Sequence, residues 1–209
     1  MYLQTNALAL PSKANTSGNN AGVPSGLASE LLLSELLPRY SNLAKLGKVF
    51  TARGALQTLS VAGTAMTGLV VWNGSSPGSG VDLHLLKATG NVAVTSATMT
   101  GIALARGTNQ LAAPTTTTAA TQTNNYLTQP LGAGLAYTVA TLSAAPVAQF
   151  DVLHNTAAIA TTGEDNGFSL DFEGSIIIPP QGIVAFVALG AASAASAVNL
   201  SLMWAELPA

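Results

Sequence analysis

From Val198 onward the chain alternates. Val198, Leu200, Leu202 and Trp204 fall on one side, and Asn199, Ser201, Met203 and Ala205 on the other. Phe168, Leu170 and Phe172 alternate in the same way with Ser169, Asp171 and Glu173. Successive side chains of a strand point to opposite faces. Both stretches therefore predict strands with one face buried and the other wet or against a partner. Shorter runs of strand character recur over residues 49–53, 56–62, 67–73, 81–88, 91–96, 98–105, 136–143, 148–154 and 183–189, separated by Gly, Pro, Asn and Ser. This pattern predicts a mainly β chain, an antiparallel β-sandwich of the jelly-roll kind over residues 48–209.

Two regions depart from it. Leu27, Leu31, Leu32, Leu33, Leu36 and Leu37 recur at helical spacing after Pro24-Ser25, where Ser25 suits an N-cap. Pro38 ends or kinks that helix, and a further turn through Leu43 and Leu46 stops near Gly47. Residues 25–47 thus predict a short helical segment that either caps the β domain or docks into a neighbouring subunit. Residues 1–24 are rich in Asn, Ser and Gly without periodicity, which predicts an extended arm. Residues 112–130 are rich in Thr, Gln and Asn, with Thr115 to Thr118 in a row, and predict a long surface loop.

Composition sharpens the picture at one point. Charged residues make up only 8% of the chain, against about 25% in a typical soluble domain. Small uncharged surfaces lie cheaply against another protein because few charges must be desolvated. All seven basic residues lie between Lys13 and Arg106, whereas Asp151, Glu164, Asp165, Asp171, Glu173 and Glu206 lie in the second half. That division is either chance, since the charges are few, or the mark of a polarised subunit whose basic part meets an acidic neighbour. The basic residues are scattered and lack interleaved aromatics, so nucleic acid is not expected as a partner. The apolar stretch from Gly182 to Val198 is broken by Ser193 and Ser196 and falls short of the ~20 residues a span needs, so no membrane is expected either. No secretory signal is read at the N-terminus.

Candidate chemistry is sparse. There is no Cys, which removes disulfides and thiolate metal sites. His84 and His154 read as ordinary polar residues, and Asp151 and His154, three apart, do not aim at one metal from a strand. Asp171 and Glu173 share a face of one strand and read as solvated neighbours, whereas a glycosidase pair flanks a cleft. Glu164-Asp165-Asn166-Gly167 lacks spaced calcium ligands and predicts an Asn-Gly hairpin turn. Phosphate-loop and dinucleotide signatures are absent. Trp72 and Trp204 read as core. The expectation is a protein that is not an enzyme, with no catalytic, cofactor or metal residues and no cofactor.

The stretch Gly68-Leu69-Val70-Val71-Trp72-Asn73-Gly74 through Gly80-Val81-Asp82-Leu83-His84-Leu85-Leu86 resembles a pattern in virion proteins of tailed bacteriophages. Gly174-Ser175-Ile176-Ile177-Ile178-Pro179-Pro180-Gln181-Gly182 and Leu202-Met203-Trp204-Ala205-Glu206 are similar to the closing strands of such proteins. The resemblance covers residues 50–209 with gaps, rests on turn-and-strand patterns, and carries over no functional residue. It implies a jelly-roll virion component, a head decoration or cement protein assembled in the host cytoplasm. Its expected partners are copies of itself, by analogy a trimer, and the major capsid protein. The alternatives are a receptor- or glycan-binding fibre module using the 112–130 segment, and a tail or neck component.

Overall fold

A computed structural model describes residues 40–78, 80–94, 101–107, 110, 112–127, 129–154, 166–190 and 196–208. The expected arm over 1–24 and the Leu-rich stretch before Tyr40 lie outside the described residues. The chain divides into two compact units, Met1–Asn42 and Leu43–Ala209. The second carries the β structure.

Helix α1, Ser41–Lys45, ends as helices with a glycine stop do. Gly47 takes φ 68°. Its N–H donates to the Ala44 carbonyl, and the Lys48 N–H donates to the Leu43 carbonyl. This paired closure needs a left-handed residue, which glycine supplies without steric cost. Among the described residues no helix is long and apolar enough to cross a membrane.

Among the described residues twelve strands follow: β1 (Val49–Arg53), β2 (Gln57–Thr58), β3 (Ala65–Asn73), β4 (Val81–Val94), β5 (Gly101–Gly107), β6 (Thr115–Ala119), β7 (Thr121–Asn124), β8 (Gly134–Thr141), β9 (Val147–His154), β10 (Asn166–Ile178), β11 (Ile183–Ala188) and β12 (Ser196–Pro208). They form two antiparallel sheets packed as a sandwich. Sheet A runs β10-β4-β12-β1-β7, with β2 beside β12, and sheet B runs β6-β8-β3-β11-β5-β9. A four-pair antiparallel ribbon rolled on itself joins first strand to last, second to seventh, third to sixth and fourth to fifth. The pairs β1·β12, β3·β11, β4·β10 and β5·β9 are all present and antiparallel. The sandwich is therefore a jelly roll, with β6, β7 and β8 inserted between its fourth and fifth strands.

Three expectations change. Residues 112–130 are not a structureless loop: β6 and β7 lie within them. β6 is exposed along its whole length and lies at the edge of sheet B. Thr is β-branched and suits a strand whatever its burial, so the row of Thr residues pairs with β8 without an apolar period. The 81–88 run and the described part of the 91–96 run, to Val94, are one strand, because Gly90 is not a turn. A Cβ there would overlap the Phe168 ring, so the glycine makes room for an aromatic from β10. The 56–62 run pairs in sheet A only at Gln57–Thr58, after which the chain crosses to sheet B. There the Ser60 carbonyl accepts from Ala188 N, and Val61 bridges to Ala188.

The main core lies between the sheets. Leu69, Val71, Leu104 and Phe186 of sheet B meet Phe50, Leu85, Leu202 and Trp204 of sheet A, all buried. Phe50 stacks on Trp204 at 5.9 Å, and Phe168 of sheet A meets Phe186 of sheet B at 6.2 Å. The outer face of sheet B is apolar as well. Met66, Val70, Ala103, Ala105, Ile183, Ala185 and Val187 form a second buried cluster, with Trp72 and Tyr137 packed against it. This explains the unbroken apolar run of β11, every residue of which is buried.

Candidate interaction sites

The β7–β8 connection, residues 125–133, is held from both ends by buried polar side chains. Asn124 donates to the carbonyls of Gly47 (2.9 Å) and Pro130 (3.1 Å) and accepts from Tyr126 N (2.8 Å). Glu206, 7% exposed, accepts from Ala133 N and Gly134 N, each at 2.8 Å, and from Trp204 Nε1 at 3.3 Å. Its charge is thus spread over oriented donors, as a buried carboxylate requires. Gly132 is needed for this approach, since a Cβ there would sit on the carboxylate. On this fixed frame the loop presents apolar side chains to solvent: Tyr126 is 45% exposed, Leu131 53% and Leu127 87%. Leu46, just before the Gly47 that packs on Gln129, is exposed too.

A second feature is a cleft of about 350 Å³ beside β5, β9 and the β10–β11 turn. Arg106, Gln149, Val147, Ile177, Pro179 and Ile183 line it. The Arg106 Nε donates to Gln149 Oε1, and the guanidinium lies 5.8 Å from the centre of the Phe150 ring. Gln110, fully buried, fixes the floor: it accepts from Ser143 N and Oγ and donates to the Ala144 carbonyl.

A third is a shallow groove on the polar outer face of sheet A, lined by Arg53, Thr89, Asn91, Asn199 and Ser201. Arg53 Nε donates to Asn199 Oδ1 at 3.3 Å.

The sequence candidates fall elsewhere. His84 is half-buried in β4, between Ile177 and Ala205. Asp151 is exposed on β9, and the His154 side chain lies outside the described residues. Asp171 is 3.9 Å from Lys87, both side chains well exposed, while Glu173 sits in a bulge with φ 55°. Glu164 and Asp165 lie outside the described residues, and Asn166-Gly167 is not a turn but part of β10, paired with Val92 and Asn91. Trp204 is fully buried. Trp72 is half-buried on the outer face of sheet B. Among the described residues, no three His, Cys, Asp or Glu side chains come together in a way that could hold a metal ion. Burial pushes the Tyr137 hydroxyl above its ordinary pKa of 10.0.

The structure also corrects the charge reading. Among the described residues, charges from the two halves of the sequence meet in sheet A, where Lys87 of β4 lies 3.9 Å from Asp171 of β10, so division along the chain does not become division in space there. The residues that sequence reasoning passed over are Asn73, Gln110, Asn124 and Glu206, all buried. The alternation carried a signal for two of them. Glu206 continues the inward series Val198–Trp204, and Asn73 continues Leu69 and Val71. Gln110 and Asn124 gave none.

No protein-family model matches the chain, and no curated protein matches it. Among solved structures it is similar to the N-terminal cellulose-binding domain from Cellulomonas fimi beta-1,4-glucanase C. The identity is 19% over 76% of this chain and 88% of that one, and the TM-score is 0.24. A likeness at that score carries no argument about this protein.

Proposed function

We propose that this protein is a non-enzymatic structural subunit that assembles with copies of itself, as a decoration or cement component of a virus head. The observation that carries the reading is the 125–133 loop. Leu127 is 87% exposed, yet it stands on a segment whose ends are fixed by Asn124 and Glu206. Exposed apolar side chains on an ordered loop lose little conformational freedom on binding and are what an interface centre uses. The jelly-roll sandwich and the low charge are compatible with such a role.

Lateral strand addition is the less suited mode of association. Of the edge strands, β6, β9 and β10 carry register irregularities, which blunt an edge against pairing, and β7, regular in register, is only four residues long. The glycan-binding alternative has its best geometry in the Arg53 groove rather than in the Thr-rich segment. That groove has donors and acceptors for hydroxyls but, among the described residues, no aromatic ring in its lining.

Light scattering of the purified full chain tests the proposal. The expected mass is a small multiple of 20.9 kDa, three by analogy, falling to a single chain in Leu127→Asp. A wild-type protein that stays a single chain across the micromolar range sinks self-association. So does an oligomer that Leu127→Asp and Leu131→Asp together leave intact.

A further inference from the structure

Among the described residues Arg106 is a cation without a counter-charge. Its Nε is committed to Gln149 and its plane lies over Phe150. The remaining guanidinium N–H groups have no carboxylate within ion-pair reach among the described residues, and the cleft lining contains no acid. A guanidinium whose position is fixed by an amide and a ring keeps its fork free for one planar acceptor. Part of the remaining wall is aliphatic. Val147 is 63% exposed and Ile177 45%, with Pro179 and Ile183 beside them.

The geometry points to the Arg106 cleft as a binding site for a carboxylate carried next to an apolar group. The carboxylate takes the terminal edge of the guanidinium, one N–H from each Nη, and the apolar group covers Val147 and Ile177. One cation in the lining matches one negative charge. A phosphate, with up to two charges, is expected to call for further cations. Gln110 takes no part in recognition, because its amide is spent on residues 143 and 144. It keeps the wall beside Arg106 in place. The ligand can be an acidic side chain beside an apolar one on another protein, or a free small carboxylate. Both present the same chemistry to Arg106, and the reading does not depend on self-association.

Amide and Arg Nε–H shifts of the full chain, titrated with hexanoate, hexanol and the capped dipeptide acetyl-Glu-Leu-amide, test it. Saturating shifts are expected at Arg106, Gly107, Val147 and Gln149 with the two carboxylates, and much weaker ones with hexanol. Arg106→Gln is expected to weaken hexanoate binding roughly tenfold or more, the scale of a lost charge-assisted pair. Arg106→Lys keeps the charge without the fork and should fall between. Tighter binding of the dipeptide than of hexanoate identifies a protein segment as the source, and the reverse identifies a free carboxylate. Equal response to hexanol and hexanoate overturns the proposal. So does unchanged hexanoate binding in Arg106→Gln whose spectrum shows a native fold, or no saturable shift with either carboxylate.

Discussion

Glu206 shows how much one side chain can organise. It lies on the buried face of β12, where a charge is costly unless every oxygen has a donor. Ala133 N, Gly134 N and Trp204 Nε1 supply them. Glu206→Ala leaves all three donors without their acceptor, at a cost of about 3 kcal/mol. Urea unfolding should show that loss, together with faster exchange of the Ala133 and Gly134 amides. A change under about 1 kcal/mol would mean the carboxylate does not anchor the loop. Tyr137 offers a second residue-scale test. Its folded pKa lies above the ordinary 10.0 because burial disfavours the phenolate. The unfolded chain therefore releases this proton first as pH rises. The contribution is complete below the unfolded value and falls away as pH climbs through the folded one. Tyr137→Phe should lose less stability than wild type on going from about pH 8 to about pH 12. Parallel urea midpoints for the two proteins would contradict this.

At the scale of elements, the sheets are stitched by amides where ladders break. The β3–β8 ladder slips between Thr67 and Val70, and Gly68 takes φ 123° there, with no room for a Cβ against Leu59. The slip leaves the Gly68 and Thr138 carbonyls to Gln57 of β2, whose Nε2 donates to them at 2.8 and 2.5 Å. A strand of sheet A thus closes a defect in sheet B. Gln57→Ala is expected to cost about 2 kcal/mol, the penalty of part-buried acceptors losing a donor, read from the denaturation midpoint at unchanged slope. A shift near zero would show that water replaces the amide. Asn73 plays the same part where β3, β4 and the β10–β11 turn converge. It donates to the Val81 and Ile178 carbonyls and accepts from Ser75 N.

For the whole molecule, the two sheets close differently along their sides. At one side β6 and β7 are separated by Ala120 alone, so the chain passes from the edge of sheet B to the edge of sheet A and seals that flank. Ala120 N donates to the Ala136 carbonyl, and Gln122 bonds both Gly134 and Ala136 across the join. The insertion that adds β6 to β8 therefore serves the sandwich and also delivers the 125–133 loop.

The sequence by itself determined the strand class and most strand positions. The side-chain period of two is a local property, and burial on one face writes it into residues such as Phe168–Phe172 and Val198–Trp204. It also determined the glycine stop at Gly47, since a left-handed residue is a local demand. Tertiary structure alone decided the rest. Gly90 reads as a break in the sequence and is a seat for Phe168 in the fold, because what fills a missing side chain comes from another strand. The Thr row of 115–118 becomes an edge strand because β8 is there to pair with it. Arg106 meets Gln149 and Phe150 only after β5 and β9 align, and Glu206 finds its donors on a loop some seventy residues earlier in the chain. Those partners are distant in sequence, and no local pattern encodes which distant residue arrives.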